Sequence, residues 1–278
     1  MKPTSKKIYQ HNFTVPLILA VLAVLVLLVI YFSMGSVEKK PEQTMPEETR
    51  FETETQAESQ TPKEQDKMPS IAFKSDLSAY EGDMNTNAEE YLILVNKQHV
   101  LSEGYEPSDL VRVKDAKKDI TLRETAARAL EAMFIEMRAE GYEDVFVTSA
   151  YRSYRYQSGL FQTYIEQEKK KFPTLTEAEA RERVLRYSAM PGTSEHQSGL
   201  CVDLMTNRMS ELDESFADEA VYTWLCENAW KFGFILRFPK DKTAITGYDY
   251  EPWHYRFVGR ENAYEIWRSG KCLEEYKK

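Results

Sequence analysis

The sequence predicts an α+β domain, and two observations carry that reading. Beyond about residue 75, helical and strand-like patterns alternate irregularly, and the strand-like runs late in the chain lie close enough to pair as hairpins. At 278 residues, the chain is long enough for one or two domains with a sizeable core. No internal repeat is visible.

The elements before the domain are of another kind. From Val15 to Phe32 the chain reads VPLILAVLAVLVLLVIYF, and no charge occurs between Asn12 and Val37. A helix of that length nearly matches a bilayer core of about 30 Å. The run exceeds the apolar region of a signal peptide, and SMGSVEKK is a poor cleavage site, so an uncleaved anchor is expected at 15–32. Lys2, Lys6 and Lys7 precede it, which predicts that residues 1–14 are a cytoplasmic stub and that the rest lies outside. Residues 33–74 are expected to form a disordered linker. They are rich in like charges and proline, with few groups able to bury apolar surface.

The domain is expected over 75–278. TLRETAARALEAMFIEMRAEG predicts a helix opened by a Thr121–Glu124 capping box and closed at Gly141. Leu122, Ala126, Leu130, Phe134 and Met137 line one face of it. DVFVTSAYR predicts a strand entering a loop. SYRYQSGLFQTYIEQEKKKF and TEAEARERVLRYSA predict two helices, the second opened by Thr176 with Glu179. LCVDLMT reads as a short strand, and FADEAVYTWLCENAWKFG as an amphipathic helix closed by Gly233. FILRFP and WHYRFVG read as strands, and ENAYEIWRSG as a last helix.

The net charge of −9 argues against a nucleic-acid partner, which would call for a basic patch. Cys201, Cys226 and Cys272 are odd in number, so a disulfide framework is not expected.

The chemistry concentrates in PGTSEHQSGLCVDL. There His196 and Asp203 bracket a turn containing Gly199, so a loop residue and a strand residue can converge on one point. A catalytic zinc takes three protein ligands, usually His or carboxylate, and keeps a fourth position open. Of the four histidines, His11 falls in the stub and His99, in VNKQHVL, reads as structural. His254 in YEPWHYRF remains. Glu251, three residues earlier, suits a carboxylate that exchanges protons with water and a leaving amine. Arg152, in TSAYRSYRYQ, follows a strand end and is a candidate cation for a substrate carboxylate or an oxyanion. On the residues alone the plainer readings stay open: satisfied core histidines, a chance acidic neighbour, and a solvated arginine at a helix start.

These segments together resemble a known family. SEHQSGLCVD resembles the S-x-H-x-x-G-x-x-x-D signature of the D-alanyl-D-alanine carboxypeptidases, the VanY-like zinc peptidases that trim peptidoglycan. EPWHYRFVG is similar to that family's E-x-W-H motif, and TSAYRSYRYQ to its S-x-Y-R-S-x-x-x-Q segment. LVNKQHVLSEGYEPSDLV is similar to its opening segment, and the match runs in order over roughly residues 90–268. The resemblance implies that His196, Asp203 and His254 bind zinc and that Glu251 is general base and acid. It further implies that Arg152 stabilises an oxyanion or holds substrate, with Gln157 and Ser194 also in the substrate pocket. The implied fold is a small antiparallel sheet carrying the zinc, flanked by helices. Cys201 departs from the alanine of many members. It either adds a fourth ligand that closes the site or fills alanine's place, and the retained Glu251 and Arg152 favour the second.

The expected protein is therefore a membrane-anchored, extracellular, monomeric zinc carboxypeptidase, with a Gram-positive source favoured by the long tether. Its expected partners are the lipid bilayer and peptidoglycan stem peptides ending in D-Ala, cleaved in D,D or L,D fashion. The alternatives are a non-catalytic wall-binding module with structural zinc, a cross-bridge endopeptidase, and a tethered sensor without zinc.

Overall fold

The computed structural model describes residues 68–277. The stub, the apolar run at 15–32 and most of the expected linker lie outside the described residues. Among those described, no helix is long and apolar enough to cross a membrane. Phe73, inside the stretch expected to be linker, packs its ring 5.2 Å from that of Phe232. The backbone N–H of Lys74 donates to Glu136 Oε1 at 2.6 Å.

The architecture is α+β. Strands β1 (Leu110–Arg112) and β2 (Thr121–Arg123) form a two-stranded antiparallel sheet. A four-stranded antiparallel sheet holds β3 (Val145–Ser149), β4 (Cys201–Thr206), β5 (Phe234–Leu236) and β6 (His254–Phe257), in the order β3-β4-β6-β5. Every residue of β4 and β6 is buried, as expected for inner strands covered on both faces. Asp203 stands opposite His254 across β4 and β6 and opposite Ser149 across β3 and β4. A register shift between Val147 and Ser149 marks where β3 leaves regular pairing, just before the loop that carries Arg152.

Helix α1 (Glu124–Ala139) begins three residues later than its sequence pattern predicts. Thr121 to Arg123 pair with β1 instead, so Thr121 is a strand residue and not a cap. The expected face holds: Leu122, Ala126, Leu130, Phe134 and Met137 are all within 1 % of full burial, each large side chain contributing about 1.5–3 kcal/mol by leaving water. Helix α2 (Tyr154–Lys171) is capped by Ser153, and α3 (Glu177–Val184) carries the predicted Thr176–Glu179 capping box. The amphipathic run before Gly233 is broken into a 3-10 turn, helix α4 (Ala220–Asn228) and a second 3-10 turn. Gly233 ends it at φ +84°, and a Cβ there would meet the Phe257 ring at 2.7 Å, so both conformation and space call for glycine. Helix α5 (Arg260–Ser269) follows, and a last turn spans Leu273–Tyr276.

Candidate active site

The site is built on the inner strands. Gly199, at φ +67°, turns the chain from a short 3-10 segment (Glu195–Ser198) into β4. That turn places His196 beside Asp203, with His196 Nε2 3.2 Å from Asp203 Oδ2. The facing strand brings His254 Nδ1 to 3.0 Å from Asp203 Oδ1. The two imidazole rings meet edge to face, centroids 5.0 Å apart. All three residues are under 5 % exposed.

The orientation of each ring is set from behind. His196 Nδ1–H donates to the Ala150 carbonyl at 2.6 Å, which leaves Nε2 as the nitrogen with a free lone pair. His254 is turned the other way, its Nε2 lying 3.2 Å from Glu195 Oε2. Two nitrogens thus approach the two oxygens of one carboxylate, at 3.2 and 3.0 Å, in a donor cluster of the kind that holds a cation. The donor set fits zinc by number and type. Burial alone would lower both imidazole pKa values and raise that of Asp203. Mutual attraction wins instead: the imidazoles are raised, His196 to about 9, and Asp203 is held well below its ordinary value. A concentrated negative charge that attracts protons this strongly attracts a dication by the same means.

The Cys201 thiol belongs to the same cluster. Its sulfur and the imidazole nitrogens of His196 and His254 lie within 4.8 Å of one another. Burial raises the thiol's pKa, but the two imidazoles pull it below its ordinary value.

Glu251 approaches from the cleft, its Oε2 3.5 Å from His254 Nδ1. Burial pushes its carboxyl up to about 7, and the Asp203 charge adds to the rise against His254, His196 and Arg152. A carboxyl near neutrality can both accept and return a proton. Arg152 is half-buried on the same cleft, and its backbone N–H donates to the His196 carbonyl at 3.2 Å. Its buried Nε has no partner among the described residues.

The cleft encloses about 260 Å³ and reaches from the three donors past Arg152, Gln157, Ser194, Tyr248 and Glu251. Gln157 is 2 % exposed. Its Nε2 donates to the Ala189 carbonyl at 2.7 Å, while Oε1 has no partner among the described residues. Ser194 is buried at the cleft wall. The structure therefore brings together every residue singled out in the sequence for this site. His99 stands apart on the surface, its Nδ1 3.1 Å from Asn96 Oδ1, and His11 lies outside the described residues.

Sequence reasoning overlooks Glu195. It sits behind His254 and is held by Arg237 Nε at 2.8 Å and Arg256 Nη1 at 2.5 Å. The available signal is a carboxylate inside SEHQSG, matched by lone arginines in the apolar strands FILRFP and WHYRFVG.

Comparison with known proteins places these features. The model of the family VanY, D-alanyl-D-alanine carboxypeptidase, matches residues 119–260. The YodJ protein of Bacillus subtilis (strain 168) is 41 % identical over 198 residues, 68 % of each chain. Among solved structures, the LdcB LD-carboxypeptidase is 39 % identical with a TM-score of 0.58, covering 66 % of this chain and 84 % of its own. A vancomycin-resistance D,D-pentapeptidase VanY from a VanB-type cassette, solved in complex with Zn(II), is 37 % identical with a TM-score of 0.59. It covers 68 % of this chain and all of its own. With the matched segment spanning α1 to β6, and so every residue of the donor cluster, the chain belongs to the D-alanyl-D-alanine carboxypeptidase family, VanY.

Proposed function

We propose that this protein is a zinc carboxypeptidase that removes the C-terminal D-Ala from peptidoglycan stem peptides. The observation that carries the reading is the convergence of His196 Nε2, Asp203 and His254 Nδ1 beside a separate carboxylate, Glu251, in one cleft. His196, Asp203 and His254 are the zinc ligands in this reading. When bound there, zinc supplies Lewis acidity that polarises a peptide carbonyl and eases the ionisation of water.

The chain's own residues do the rest. Glu251 takes the proton of the attacking water and returns it to the amine of the departing D-Ala. Its raised pKa supports both halves of that transfer. Arg152 meets negative charge on the substrate, either the terminal carboxylate or the developing oxyanion. Gln157 Oε1 and Ser194 offer polar contacts to the same peptide. A structural zinc in a wall-binding module would have no use for a carboxyl poised near 7 beside the donors, which favours catalysis over that alternative.

Placement outside a membrane is part of the proposal. It is supported by the uncharged run at 15–32, the lysines before it and the acidic segment after it.

The test follows synthetic tetra- and pentapeptide stems by mass spectrometry, with and without zinc chelation. Loss of one alanine from the pentapeptide alone assigns D,D cleavage, and loss from the tetrapeptide alone assigns L,D cleavage. Chelator-sensitive release from neither overturns the carboxypeptidase reading.

A further inference from the structure

His254 has two ring nitrogens, and only the one facing Asp203 can join the donor cluster. That nitrogen is Nδ1, 3.0 Å from Asp203 Oδ1, while Nε2 points into the core at 3.2 Å from Glu195 Oε2. A neutral imidazole carries one proton, and the nitrogen without it is the one able to hold a metal. An ionised carboxylate only accepts hydrogen bonds, so a fixed Glu195 favours the proton on Nε2 and leaves the Nδ1 lone pair facing the cluster.

Glu195 is fixed to an unusual degree. Its Oε1 receives Arg237 Nε at 2.8 Å and Arg256 Nη1 at 2.5 Å. Arg256 is itself tied down, with Nη2 donating to the carbonyls of Tyr91 and Ile93 at 2.9 and 2.8 Å and Nε to that of Phe257 at 3.0 Å. Arg237 turns its other two nitrogens to Glu274 at 2.9 and 2.7 Å. Neither arginine has measurable exposure, and Glu195 has 4 %. Such a cluster is a poor way to gain stability, since well-packed apolar residues usually do as well or better. Its hydrogen bond to the donor cluster is the one to His254.

We infer that Glu195, held by Arg237 and Arg256, is a positioning residue that selects the His254 tautomer presenting Nδ1 to the metal. The inference rests on the zinc reading above and adds a determinant of metal affinity outside the ligand set. The hydrogen-bond partner of a metal-bound histidine typically changes affinity or activity 10–100-fold when removed.

The test has three arms. Long-range 1H–15N correlation spectra of the zinc-loaded wild-type protein should show the His254 proton on Nε2. Competition with a chromophoric chelator should show zinc affinity about 10–100-fold weaker in Glu195→Gln than in wild type. Glu195→Asp keeps the charge facing both arginines but is one methylene shorter, so it should fold even where the amide does not and should also bind zinc less tightly. Leu130→Ala, a core truncation in α1, lowers the melting temperature without touching His254 and should leave zinc affinity within about twofold of wild type. A proton on Nδ1 of His254, wild-type affinity in the Glu195 variants, or an equal loss in Leu130→Ala would overturn the inference. Wild-type protein that takes up no zinc would overturn the zinc reading first, a result distinguishable from the others because it needs no variant.

Discussion

Two glutamates flank His254, and their surroundings push them to opposite uses. Glu251 stands on the cleft side with a side chain 19 % exposed and His254 as its nearest ion-pair partner. Burial leaves it about as easily protonated as not at neutral pH. Glu195 stands on the core side with 2 % side-chain exposure. Burial would raise its pKa too, but Arg237 and Arg256 outweigh that and hold it well below the carboxylate range. Identical side chains thus become a carboxyl poised near neutrality and a permanent charge, and the difference lies in how strongly buried cations face them.

The comparison is most easily broken at Glu251. Glu251→Gln should cut hydrolysis of stem peptides by about 10²–10⁴-fold with little change in melting temperature, measured by product release beside a thermal scan. The opposite balance is expected behind His254. Arg256→Met leaves a buried carboxylate short of a partner, so it should cost about 3–5 kcal/mol of stability, read by denaturant unfolding. A milder effect concerns pH. Burial opposes it, but hydrogen bonds from Arg237 hold Glu274 below its ordinary 4.5. A depressed carboxylate stabilises fully above that ordinary value, and the contribution fades as pH falls toward the depressed one. Acidification below about 4.5 should therefore loosen the turn at 273–276, seen as faster amide exchange there, and Glu274→Gln should flatten that pH dependence. The smallest effect is expected at Cys201. Cys201→Ala should leave activity within a few-fold and cost about 1 kcal/mol, whereas complete loss of zinc binding would make the thiol a required ligand.

The line between what was legible in the sequence and what was not follows distance along the chain. His196 and Asp203 share one turn and one strand, and Glu251 and His254 share another, so short motifs display them. Glu195 is fixed by partners 42 and 61 residues away, and no local pattern announces such a pairing. Thr121 shows the reverse error. Its spacing to Glu124 satisfies a capping box, yet pairing with Leu110–Arg112 claims it for a strand, because tertiary pairing overrides a local preference. The capping box at Thr176 has no such competitor and forms as written.

The path from Glu274 through Arg237 and Glu195 to His254 also sets an order in time. A chain leaves the ribosome N-terminus first, although a domain folds as a unit, so His196 and Asp203 are made before the residues that orient their partner. Until 273–276 have emerged and docked, Arg237 lacks its second carboxylate, and the charge cluster behind the site is out of balance. The hydrogen-bonded surroundings of His254 are thus complete only once 273–276 have joined the fold.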